Sequence, residues 1–89
     1  MTVLAGAGVI GYRFMVREQR IPAASSAVTN AKLQEDQRHY AEAAAYWRKA
    51  AALLPEGEKK DRSRYLHSAG YDLYRIARYS EALPLYEQS

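Results

Sequence analysis

One phrase occurs twice in this chain, and it limits what the chain can fold into. Tyr40-Ala41-Glu42-Ala43-Ala44-Ala45-Tyr46-Trp47 aligns with Tyr79-Ser80-Glu81-Ala82-Leu83-Pro84-Leu85-Tyr86, position for position. A tyrosine, a glutamate two residues on, an alanine one further and an aromatic four beyond that all match. Self-similarity at such a period is the mark of stacked helical units, each burying one face on its neighbour.

The surrounding text has helical spacing. Ala43, Ala44, Trp47, Ala50, Ala51 and Leu54 recur every three or four residues and so fall on one stripe. Pro55 and Gly57 are expected to stop that helix, glycine by accepting a left-handed exit. The charged run Glu56–Arg64 reads as a solvated connector leading into a second stripe at Leu66, Ala69, Gly70 and Leu73. Ile76–Tyr79 reads as a short turn. Ser80 is the expected N-cap of a last helix, with Pro84 in its first turn, where a missing N–H costs least. No window of strict alternation is long enough for a strand.

Length restricts the rest. A chain of 89 residues buries only about 60% of its unfolded surface, so its core is marginal without outside help. A two-domain enzyme, a closed α/β barrel and a complete doubly wound sheet are excluded. With no cysteine there is no disulfide scaffold and no thiolate chemistry. The net charge of +3 favours acidic partners only weakly.

The repeated phrase resembles the tetratricopeptide repeat, a helix–turn–helix unit of about 34 residues. The likeness is strongest at Tyr40, Ala43, Trp47, Ala50 and Pro55, and in the second copy at Gly70, Tyr79, Ala82, Leu83 and Tyr86. It covers roughly residues 24–89. The step from Tyr40 to Tyr79 is longer than the usual unit, which places the extra residues near 56–62. The resemblance implies an all-α fold of antiparallel helical hairpins, solenoid-like; the apolar run of residues 1–16 adds the expectation of an N-terminal helix before it. The chain then divides into an apolar segment 1–16, a polar linker or first-helix start at 17–30, and helical repeats over 31–89. Fewer than two full copies are present, whereas such units usually stack in threes or more. Self-association, a partner or a longer array is expected to complete the core.

In that family the first helix of each unit lines a peptide-holding groove. Carried onto this sequence, the groove residues of the second copy are Arg64, His67, Tyr71, Tyr74 and Arg75. Those of the first copy are Ser25, Val28, Lys32 and Glu35. Arginines fork onto carboxylates and tyrosines give rigid contact area, so the implied partner is a protein or peptide, acidic or aromatic. The bland alternative is that the arginines are solvated and the tyrosines pack. Val28 and Tyr71 stand where the family's chaperone-tail clamp would carry a lysine and an asparagine, so that ligand is not implied.

Residues 2–16 admit several readings. Gly6-x-Gly8-x-x-Gly11 spells a dinucleotide-binding turn, but no acidic residue follows at the required distance and no further strands exist. A membrane-inserted or partner-packed apolar helix ranks first, although the uninterrupted run to Tyr12 is shorter than the ~20 residues of a full span. Arg13, Arg17 and Arg20 would then keep the repeats on the positive side, cytoplasmic or matrix. An organellar presequence is the third reading.

No catalytic constellation is legible. His39 and His67 stand apart without metal-ligand spacing, and no cofactor is implied. Glu35 and Asp36 are adjacent, point to different faces, and read as a solvated edge. Lys59, Lys60, Arg62 and Arg64 are interleaved with Glu56, Glu58 and Asp61, and no nucleic-acid-binding signature appears. The expectation is a non-catalytic interaction module or scaffold. The alternative is a small structural subunit of a membrane complex whose helices pack permanently on partners.

Overall fold

The structure, a computed structural model, describes residues 20–89. Over these residues the chain is all-helical, with no strand. Helix α1 covers the described residues 20–36, α2 is Tyr40–Leu53, α3 is Lys59–Arg75 and α4 is Tyr79–Gln88. The expectations for residues 1–16 lie outside the described residues. Residues 20–30 lie within α1 and not in a linker.

Each buried stripe follows helical spacing. Ala24, Ala27 and Ala31 are buried on α1, and Ala43, Ala44, Trp47, Ala50 and Ala51 on α2. Ala69, Gly70, Asp72 and Leu73 are buried on α3, and Ala82 and Leu85 on α4. One core joins all four helices through Ala31, Ala44, Trp47, Ala69, Leu73, Ala82 and Leu85. Its contacts are mostly alanine, which lets helix axes approach closely, and aromatics fill the remaining gaps. Trp47 tilts against Tyr65 of α3 with ring centroids 5.6 Å apart. Gly70 marks a close approach of α3 and α4, since a Cβ there would lie 3.2 Å from the Tyr86 ring and 3.3 Å from the Ala82 carbonyl oxygen.

The α1–α2 and α3–α4 turns are copies of each other. In the first, the Arg38 N–H donates to Glu35 O and the His39 N–H to Gln34 O. In the second, the Ala77 N–H donates to Tyr74 O and the Arg78 N–H to Leu73 O. Every donor and acceptor is displaced by the same step that carries Tyr40 onto Tyr79 in the sequence repeat. Both turns are closed in the Schellman manner, with Arg38 and Ala77 at φ 62° where glycine is usual.

Four local expectations are corrected. Gly57 is not the left-handed exit of α2, because no described glycine has positive φ. That helix ends at Leu53, and its C-cap Leu54 is extended (φ −69°, ψ 141°), the geometry favoured before proline. The charged run is not all connector. Helix α3 begins at Lys59, and Arg62 reaches back to donate to the carbonyls of Leu54 and Pro55 at 2.9 and 3.2 Å. Ser80 does not cap α4, because the closed turn makes Arg78 the half-helical residue and helix starts at Tyr79. Pro84 consequently lies inside α4, where it leaves the carbonyl one turn earlier without its usual donor.

Candidate functional site

The five residues carried over to the second copy share the outward arc of α3, opposite Ala69 and Leu73. The structure divides them into four neighbourhoods. Arg64 is exposed and paired with Asp61 one turn earlier at 3.2 Å. His67 is also exposed and lies against the Tyr86 ring, centroids 5.1 Å apart. Tyr74 meets Tyr79 edge-on at 5.1 Å and opens a cleft of about 250 Å³ with Ala82, Leu83 and Tyr86. Arg75 reaches Tyr40 of α2 and also lies over Tyr71 of its own helix.

Arg75 is the most constrained of the five. Its guanidinium carbon lies 4.3 Å from the Tyr71 ring centroid and 4.9 Å from that of Tyr40, so the cation is held against two π faces. Such contacts orient the charge without neutralising it. Tyr71 and Tyr74 remain 46% and 54% exposed, which leaves contact area open.

Beneath Arg75 is a feature that the sequence reading did not single out. Asp72 is wholly buried, and neither carboxyl oxygen has a hydrogen-bond partner among the described residues. Arg75 Nε is 4.0 Å from Oδ1, too far for a hydrogen bond. Burial, and next the neighbouring Glu35 carboxyl, push the Asp72 carboxyl up to about 8, against smaller opposing effects of Arg75 and Trp47. Burial therefore favours the protonated form of Asp72 in the fold. Its spacing is a legible signal, since it falls three residues after Ala69 on the apolar stripe, where a carboxylate is out of place.

The first-copy candidates are dispersed. Ser25 and Lys32 are exposed, with the Ser25 carbonyl accepting from the Thr29 hydroxyl at 3.2 Å, and Val28 packs against the core. Glu35 is not part of a solvated edge. It is half-buried and its Oε2 accepts the indole N–H of Trp47 at 3.1 Å. Trp47 must bury its ring, and its one polar atom then needs an acceptor that α1 supplies.

A second cleft, of about 510 Å³, is lined by α2, α3 and α4, with Arg48, Ala52, Arg62, Leu66, Glu81 and Gln88 among its walls. Among the described residues no cluster of three His, Cys, Asp or Glu side chains could hold a metal ion. No helix among them is long and apolar enough to cross a membrane. The chain matches no family model, no curated protein and no solved structure.

Proposed function

We propose that this protein is a non-catalytic interaction module, a scaffold of tetratricopeptide-like hairpins that docks a protein or peptide along the outward face of α3. The observation that carries the reading is the exposure of Tyr71 and Tyr74 on the same arc as Arg64, His67 and Arg75. Rigid aromatic area interleaved with cations is the composition of binding hot spots, and it selects an acidic or aromatic-bearing segment. The matched turns at Arg38 and Ala77 support the repeat part of the proposal. The fixed guanidinium of Arg75 would be the electrostatic anchor, and Tyr71 the flanking contact.

The test is a displayed library of random peptides panned on the full chain and on a Tyr71→Ala, Arg75→Ala double variant of unchanged helicity. The expected outcome is enrichment of acidic peptides by the parent and its loss in the variant. No enrichment, or enrichment that the variant retains, would sink the reading. The alternative of a permanently packed structural subunit is favoured by a different observation. Tyr79 and Leu83 of α4 remain 56% and 58% exposed, as an edge covered by another chain would be when seen alone.

A further inference from the structure

The cleft of about 510 Å³ lined by α2, α3 and α4 shares no wall residue with the five of the α3 arc. Its size falls among cavities that hold small organic ligands, about 300–1,000 Å³. Two arginines enter it from different helices, Arg48 from α2 and Arg62 from α3. Neither is ion-paired with a carboxylate among the described residues.

Arg62 is the fixed member of the pair. It is half-buried, and its Nη2 donates to the carbonyls of Leu54 and Pro55 at 2.9 and 3.2 Å. A guanidinium carries five N–H donors in one plane, so most of the fork is still open while its orientation is set. Such a fork matches the two oxygens of a carboxylate or phosphate. The acid in the wall, Glu81, does not fill it, because both Glu81 oxygens accept from Arg78 of the preceding turn. The Glu81 charge nonetheless stands beside the cleft, and a second negative charge on a ligand would meet repulsion there. That favours a monoanion. The rest of the wall is apolar, with Leu66 of α3 and Pro84 and Leu85 of α4, and Gln88 adds an amide donor. A fixed cation over an apolar floor selects an acid with a hydrocarbon body.

We propose that this cleft binds a free amphiphilic monocarboxylic acid, its carboxylate on Arg62 and Arg48 and its hydrocarbon on Leu66, Pro84 and Leu85. The site is independent of the Arg75–Tyr71 face and stands whether or not that face docks a peptide.

The test titrates the full chain with sodium octanoate, below the concentration at which it forms micelles, and follows the methyl groups of Leu66, Leu85 and Leu83 by NMR. Saturating shifts are expected at Leu66 and Leu85, with a dissociation constant on the order of 1 mM for a ligand this small. Leu83 is the internal control, because the apolar cleft it shares with Tyr74 and Tyr79 has no charged wall residue. Octanol and acetate each lack one half of the ligand and should bind about tenfold more weakly. Arg48 is exposed, so Arg48→Gln should keep the melting midpoint and weaken octanoate about tenfold. Arg62→Lys keeps the charge without the fork and should weaken it several-fold; it carries the test should Arg48→Gln not fold. No saturation by about 10 mM overturns the proposal. So do shifts at Leu83 in place of Leu85, octanol binding as tightly as octanoate, or an affinity that both variants retain. Tighter binding of octyl phosphate would make the ligand a dianion and overturn the monocarboxylate. N-acetyl-leucine stands for the end of a polypeptide, and its binding more tightly than octanoate would overturn the free acid.

Discussion

The Arg75 guanidinium lies 4.0 Å from the buried Asp72 carboxyl and is held there by the rings of Tyr40 and Tyr71, so the acid has a cation beside it without a hydrogen bond to it. Glu35 of α1 and the Trp47 indole of α2 complete the surroundings, and Glu35, not Asp72, accepts the indole N–H. A carboxyl so placed is more easily buried neutral than charged.

That sets a pH dependence whose sign can be worked out. Burial and Glu35 raise the folded Asp72 from 3.8 to about 8. The folded chain therefore holds one more proton than the unfolded chain between those values, and stability falls as pH rises through that window. Urea midpoints measured from pH 5.5 to 9 should decline with pH, no more steeply for this group than about 1.4 kcal/mol per pH unit, the limit for one proton. Asp72→Asn stays neutral and should flatten that part of the profile. Parallel profiles for parent and variant would mean that Asp72 is ionised in the fold.

The turns at Arg38 and Ala77 place residues with a Cβ at φ 62°. Left-handed geometry costs an L residue roughly 1–2 kcal/mol, part of which glycine returns in the unfolded chain. Ala77→Gly is therefore expected to stabilise the protein by about 0.5–1 kcal/mol and to raise the melting midpoint by several degrees. Arg38→Gly should do the same, and the two should add, because the turns share no hydrogen-bond partner. A lowered midpoint in either would show that strain is absent from that turn.

Helix α3 and helix α4 meet at Gly70, where an added Cβ would already press on Tyr86 and on a carbonyl oxygen that cannot rotate away. Gly70→Val adds two more carbons at that point, and overpacking of this kind is expected to cost about 1–3 kcal/mol. The check is a urea titration at fixed pH. Combining it with Tyr86→Ala should recover part of the loss, since the ring is the neighbour that gives way. Equal stability of Gly70→Val and the parent would mean that the two helices leave room for a side chain between them.

Much of this architecture is legible in the sequence. The alternation of small and large apolar residues at Ala43, Ala44, Trp47, Ala69, Leu73 and Ala82 announces paired helices, and all six are buried. The boundaries are less legible. Ser80 has the chemistry of an N-cap, yet backbone bonds from Ala77 and Arg78 have already closed the turn before it. The charges from Lys59 to Arg64 look like a loop, yet one of them, Arg62, ties the start of α3 to the end of α2. Local chemistry names the candidates for a boundary, and tertiary hydrogen bonds choose among them.

The candidate site divides along the same line. That Arg64, His67, Tyr71, Tyr74 and Arg75 occupy one arc of a helix is a consequence of their spacing, because side chains three, four and seven apart must share a face. What surrounds each of them is not. Tyr40 reaches Arg75, and Glu35 reaches Trp47 and Asp72, only because α1, α2 and α3 converge, and no rule of spacing relates residues on three helices. By itself the sequence determined the helical class and the repeat that carries Tyr40 onto Tyr79, since both follow from local periodicity. Only the tertiary structure decided that, among the described residues, an aspartate is buried without a hydrogen-bond partner and one face of α4 is exposed, because burial belongs to the neighbours a residue acquires and not to the residue.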